Sequence, residues 1–162
     1  MITRRTATLL SLSVACTVVL LDQLTKELAI KFLVPFESNP VLGAFLKFNL
    51  VFNDRAAFSL GTGATWIFTL TSSLAMLALL YFVPRFRSRG WLILGGAALG
   101  GVVGNLIDRI IRQPGFPNGQ VVDFIQIPFN FPVFNVADMA ISISAFIVAI
   151  RVVKGERLGG PK

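Results

Sequence analysis

The sequence contains no histidine and only one cysteine, Cys16, among its 162 residues. The lack of histidine excludes a Ser-His-Asp triad, a Cys-His pair and an HExxH zinc site. A single cysteine excludes an internal disulfide and a CxxC site. If the chain is an enzyme, its chemistry must come from Asp, Glu, Lys, Ser, Thr or Tyr, and we expect neither a metal ion nor a cofactor.

Charged residues are also scarce. They make up 14% of the chain, against 54% hydrophobic residues and a mean hydropathy of +0.74, whereas about a quarter of a soluble domain is charged. The hydrophobic residues form four stretches long enough to cross a hydrocarbon core of ~30 Å at ~1.5 Å per residue. These stretches are residues 9–30, 65–83, 91–110 and 133–151. We therefore predict an α-helical membrane protein with four transmembrane helices, forming a single domain over residues 1–162.

The net charge of +7 comes from basic residues at the ends of the apolar stretches. This placement is typical of membrane topology signals and argues against nucleic-acid binding. Nine of the 15 basic residues, with one of the eight acidic residues, fall on one predicted side of the membrane: Arg4, Arg5, Arg85, Arg87, Arg89, Arg151, Lys154, Arg157 and Lys162. The positive-inside rule then predicts that both termini are cytoplasmic and that the two long connections face outward.

Both outer connections contain apolar residues. In residues 44–53, apolar and polar residues alternate, which predicts a β-strand. Residues 112–132 are rich in proline and glycine and indicate a turn-rich loop, although several phenylalanines lie among them. Two interpretations of this apolar character stay open: a surface resting on the outer leaflet, or a small satellite core.

Ionisable and amide side chains within membrane spans are costly and therefore informative. They group at the predicted outer ends of the helices: Asp22 and Lys26 in the first span, Asn105, Asp108 and Arg109 in the third, Asn135 and Asp138 at the start of the fourth, with Asp123 just before it. We interpret Asp22–Lys26 as an ion pair and Arg109, beside Asp108, as pinning the third helix. The two asparagines are suited to orienting carboxylates. Asp123 and Asp138 have fewer evident cationic partners and are the candidate functional pair.

Two carboxylates in a poorly solvated site cannot both ionise easily, so one acts as an acid and the other as a base. Such a pair can activate water for peptide hydrolysis without a metal. Membrane carboxylates also serve as proton relays, so a small proton-coupled transporter is a rival interpretation, as is a non-catalytic scaffold. A Ser-Lys protease using Ser59 or Ser11 is weaker, because no lysine shares a plausible helix face with either serine.

Five short motifs lie in order along the four spans: Asp22–Lys26 (DQLTK), Asn53–Ser59 (NDRAAFS), Gly100–Arg109 (GGVVGNLIDR), Val121–Phe124 (VVDF) and Phe134–Asp138 (FNVAD). Together they resemble the motifs of bacterial lipoprotein signal peptidase (signal peptidase II). Each motif alone is weak, but five in order are specific. One departure is visible, because Arg55 stands where the family pattern usually has glycine.

The resemblance implies an aspartyl endopeptidase of the bacterial inner membrane. It would remove signal peptides from diacylglyceryl-modified prolipoproteins by cutting before the lipidated cysteine, near the outer membrane face. Asp123 and Asp138 would form the catalytic dyad, supported by Asp22, Lys26, Asn53, Asn105, Asp108, Arg109 and Asn135. The family's outer β-cradle would correspond to residues 44–60, followed by a mobile outer helix, and we expect a monomer surrounded by membrane lipid.

Overall fold

The computed structural model describes residues 3–54, 65–86 and 88–156. Four of its helices are long and apolar enough to cross a membrane. They are α1 (Arg4–Phe32), α2 (Thr65–Phe82, continued by a 3-10 turn at Val83–Arg85), α3 (Arg89–Ile111) and α4 (Val136–Val153). The prediction of a four-helix membrane protein is confirmed.

Helices α1 and α4 both begin at a capping side chain and not where the hydropathy pattern predicted their starts. Thr3 caps α1 by accepting a hydrogen bond from the amide of Thr6 at 3.2 Å, so the helix starts before the apolar stretch. Asn135 caps α4, whose first residue is Val136, so this helix starts three residues after the predicted position. Capping side chains, rather than hydrophobicity, therefore set these two boundaries.

Helix α3 lies centrally and contacts α1, α2 and α4. Its glycines permit close approach: a Cβ at Gly96 would lie 2.5 Å from the carbonyl oxygen of Ser11 in α1. A Cβ at Gly101 would lie 2.5 Å from the carbonyl oxygen of Ala137 in α4. Both distances are too short for any side chain, so α1 and α4 can pack this tightly only because the residues of α3 are small.

A three-stranded antiparallel sheet lies at the end of the bundle where α1 ends and α4 begins. Its order is β1 (Ser38–Leu42), β2 (Leu46–Asn53) and β3 (Val121–Gln126). Strand β2 confirms the strand predicted at 44–53. The interpretation of 112–132 as a loop is wrong for residues 121–126, where a run of β-branched and aromatic residues pairs with the free edge of β2. The expected outer helix and Arg55 lie outside the described residues.

The sheet carries a satellite core against the end of α1. Leu50, Val122 and Phe124 are buried together with Ala29 of the helix. This packing ties β2 and β3 to the bundle. The satellite core accounts for only part of the apolar character of the connections, because Phe116, Phe129 and Phe131 are exposed.

Candidate active site

Asp123 lies in the middle of β3, and 2% of its surface is exposed. Both carboxylate oxygens accept amide hydrogen bonds: Oδ2 from Asn53 Nδ2 at 2.8 Å and Oδ1 from Asn135 Nδ2 at 2.7 Å. Burial raises the pKa of Asp123 from 3.8 to about 7. The charge of Asp138 also raises this pKa, while the two amide bonds oppose the rise. A proton on this carboxyl is therefore available near neutral pH.

Asp138 occupies the third position of α4 and forms a capping box with Asn135. The Asn135 side chain accepts a hydrogen bond from the Asp138 amide at 2.9 Å, and Asp138 Oδ2 accepts one from the Asn135 amide at 3.2 Å. The other oxygen, Oδ1, accepts from Asn105 Nδ2 at 2.7 Å. The cap therefore holds Asp138 at the start of the helix, with its carboxylate beside α3.

Two asparagines connect the carboxylates. Asn135 Nδ2 lies within hydrogen-bond distance of Asp123 and, at 3.1 Å, of Asn105 Oδ1. Asn105 in turn donates to Asp138. Asp123 and Asp138 are therefore joined through two amide side chains.

A buried lysine sets the orientation of Asn105. Lys26 Nζ, which can only donate, lies 3.0 Å from Asn105 Oδ1, so the amide nitrogen of Asn105 must face Asp138. The same ammonium pairs with Asp22 at 2.8 Å and Asp108 at 2.7 Å. All three charged side chains are fully buried. The Asp22–Lys26 ion pair predicted from spacing is present, and Asp108 extends it into a triad.

The triad also bonds to the backbone that carries the two candidate catalytic residues. Asp22 Oδ1 accepts from the Ala137 amide at 2.9 Å, one residue before Asp138. Asp108 Oδ2 accepts from the Val122 amide at 3.2 Å, one residue before Asp123. Buried charges that also accept backbone amides hold those amides in a single position. The triad thus positions β3 and α4 relative to each other.

Arg109 lies against an aromatic ring of the neighbouring helix α2. Its guanidinium carbon lies 5.4 Å from the ring centre of Phe68 in α2, and it is close enough to Asp123 and Asp138 to interact electrostatically. Its buried Nη1 has no hydrogen-bond partner among the residues that the structure describes. The ring of Phe68 gives Arg109 a contact between α3 and α2.

Sequence reasoning missed three residues of the surrounding network. Arg112 pairs with Asp108 at 2.7 Å and with Glu27 at 3.0 Å, and Gln23 donates to Asp108 at 3.2 Å. The spacing of four between Asp108 and Arg112 was a visible helical ion-pair signal. Gln23 gave no comparable signal, because its partners include residues of another helix.

The candidate site residues form one connected group, with Arg109 beside it. The eight members are joined by hydrogen bonds and ion pairs: Asp22, Lys26, Asn53, Asn105, Asp108, Asp123, Asn135 and Asp138. Two carboxylates held in this way, both largely removed from water, can share a proton and act on a bound water as acid and base.

Comparison with known proteins places this arrangement in a class. Residues 14–154 match the family model described as Signal peptidase (SPase) II. The lipoprotein signal peptidase of Leifsonia xyli subsp. xyli is 44% identical over 147 residues, covering 91% of this chain and 68% of the relative. That of Mycobacterium leprae is 41% identical over 141 residues, covering 87% of this chain and 70% of the relative.

The fold has a solved counterpart as well. A bacterial membrane enzyme determined by the in meso method at 1.9 Å resolution superposes with a TM-score of 0.78 at 28% identity. The match covers 89% of this chain and 92% of that one. The four-helix bundle with its small sheet is therefore the fold of a membrane enzyme.

The protein is thus a multi-pass membrane peptidase. It belongs to the signal peptidase II family, as the five motifs suggested. Membership assigns it to the cleavage of signal peptides from prolipoproteins.

Proposed function

We propose that this peptidase cuts diacylglyceryl-modified prolipoproteins immediately before the lipidated cysteine, with Asp123 and Asp138 as its catalytic dyad. The observation that carries the proposal is the pairing of two largely buried carboxylates through Asn105 and Asn135. The raised pKa of Asp123, about 7, supports a shared proton at the pH of the reaction.

In the proposed mechanism a water molecule lies between the two carboxyl groups. One aspartate takes a proton from the water as its oxygen attacks the scissile carbonyl carbon, and the other protonates the carbonyl oxygen. The resulting tetrahedral diol collapses when a proton is delivered to the leaving amine nitrogen. Because the pair titrates as a unit, neither residue is assigned permanently as acid or base.

Arg109 is suited to binding the substrate backbone. Its buried Nη1 has no partner among the described residues, and its charge lies near both aspartates. A guanidinium donor there would hold a peptide carbonyl and stabilise negative charge that develops on oxygen. Asn53, which bonds Asp123 at 2.8 Å, would keep the second carboxylate oxygen from rotating.

The substrate would enter sideways from the bilayer. Its signal helix would pack among the spans while the diacyl chains stay in lipid, so that only the scissile bond reaches the polar site. The protein would act as a monomer in the bacterial inner membrane. Basic residues at the bundle end opposite the sheet, such as Arg85, Arg89 and Arg151, favour a cytoplasmic position for that end and an outer position for the dyad.

The test uses the purified full chain with a diacylated precursor and its unlipidated twin. We expect cleavage of the first only, at the bond before the cysteine. Asp123→Asn and Asp138→Asn should each abolish cleavage, because an amide has nearly the same shape but cannot take or give the proton. Glu37→Gln is the matched control, since this exposed carboxylate lies outside the site. Near-normal processing by either aspartate variant would refute the dyad.

A further inference from the structure

The far end of the sheet carries exposed apolar side chains at one place. Lys47 of β2 lies opposite Gln126 of β3, so the β1–β2 hairpin turn and the chain leaving β3 come together at this end. The apolar tip, as we call it, consists of four residues there: Leu42, Phe45, Phe129 and Phe131. Phe129 is 98% exposed and Phe45 78% exposed. Large apolar side chains grouped in this way mark an interaction surface.

The sheet runs outward across the end of α1. A groove of about 250 Å³ lies between them, lined almost entirely by apolar atoms. Its walls include Leu28 and Phe32 of α1, both exposed on the membrane-spanning helix, and Phe48 and Phe124 of the sheet. The apolar tip lies beyond Phe48 along the strands, next to the end of this groove that the sheet forms.

We propose that the apolar tip rests in the lipid leaflet on the sheet side of the bundle, with lipid filling the groove beneath it. The surface is continuous with the lipid-facing side of α1, through Phe32 at the helix end. A leaflet is therefore the apolar phase nearest to the tip. Aromatic side chains are suited to this interfacial depth.

Charge next to the apolar tip fits the same partner. Lys47 adjoins the hairpin turn, and Lys31 lies in the last turn of α1 with its Nζ 5.3 Å from the ring centre of Phe32. Basic residues beside interfacial aromatic residues favour anionic lipid headgroups. Strand β3 joins Asp123, in its first half, to the apolar tip beyond its last residue. Lipid contact at the tip would therefore set the depth of the Asp123 carboxyl group relative to the membrane surface. The inference depends on the spanning helices and not on the dyad.

The test is spin-label accessibility in the full chain, reconstituted in nanodiscs of phosphatidylethanolamine and phosphatidylglycerol. Cys16→Ala removes the native thiol, and single cysteines are then introduced as Phe45→Cys and Phe129→Cys. Leu74→Cys, on the exposed side of α2, is the lipid control, and Glu156→Cys, in the exposed tail, is the water control. Labels are attached after purification, to protein whose helical circular dichroism matches the parent.

At positions 45 and 129 we expect relaxation enhancement by oxygen to exceed that by a water-soluble nickel chelate severalfold, as at position 74. If relaxation enhancement by the nickel chelate at position 45 or position 129 equals that at position 156, the proposal is overturned. Spectral broadening that disappears on dilution with unlabelled protein also overturns it, because a second copy of the chain would then cover the tip. Reaction rates of the same cysteines with a charged maleimide give a second reading, and a rate as fast as at position 156 contradicts lipid burial.

Discussion

Replacing Lys26 with methionine tests whether the buried triad holds the site together. Lys26 compensates two fully buried carboxylates, Asp22 at 2.8 Å and Asp108 at 2.7 Å. Asp108 keeps Arg112 at 2.7 Å after the change, but Asp22 has no second cation among the ion pairs of the described residues. Removing one partner of a buried ion pair costs about 3–5 kcal/mol. We expect a loss of that size in the free energy of unfolding.

The assay is equilibrium unfolding in mixed detergent micelles, followed by circular dichroism. Lys31→Met is the matched control, because Lys31 lies on the same helix but is exposed, and such surface changes cost about 0.5 kcal/mol or less. Adding Asp22→Asn to Lys26→Met should recover part of the loss, since the uncompensated charge disappears. A Lys26→Met protein as stable as the Lys31→Met control would refute the reasoning.

Three further changes probe the site. Asn135→Ser keeps a helix cap but loses the amide donor to Asp123, so it should slow cleavage strongly. It should cost less stability than Asn135→Ala, which also loses about 1 kcal/mol of capping. Equal cleavage rates in the serine variant and the parent would contradict this. Gly104→Ala places a Cβ 2.6 Å from Asp22 Oδ2, so it should lower both the unfolding midpoint and the cleavage rate relative to the parent protein in the same micelles. The pKa of Asp123 in the folded state, about 7, lies above its ordinary value of 3.8, so the folded state binds the proton more tightly than the unfolded state does. The free energy of unfolding should therefore fall by about 1.4 kcal/mol per pH unit as the pH rises from about 4 to 7. Unfolding titrations of the Asp123→Asn protein should lack that slope.

Charged side chains and amide side chains make different contacts in the site. The triad of Asp22, Lys26 and Asp108 bonds to backbone next to each aspartate, while Asn105 and Asn135 touch the carboxyl groups themselves. The positive charge of Lys26 therefore reaches Asp138 through the intervening amide of Asn105. Substitutions in the triad should change stability and cleavage together, whereas substitutions of Asn53 should mainly change cleavage.

Much of the membrane architecture could be predicted from the chain alone. The four apolar runs predicted four transmembrane helices, because a helix of about 20 apolar residues is long enough to span the hydrocarbon core of a bilayer. Spacing predicted the Asp22–Lys26 pair, since residues four apart share a helix face. Alternation between apolar and polar residues predicted strand β2. These signals are local, so they need no knowledge of which elements meet.

Only the tertiary structure decided the rest, because it depends on contacts between distant segments. Strand β3 forms where β2 offers a free edge, which is why a stretch interpreted as a loop holds Asp123 on a strand. Asp108 pairs with Lys26 of the first helix, a contact between segments far apart in the sequence. The orientation of Asn105 follows from that lysine. Sequence determined which groups are costly to bury in the membrane, and folding determined which of them satisfy one another.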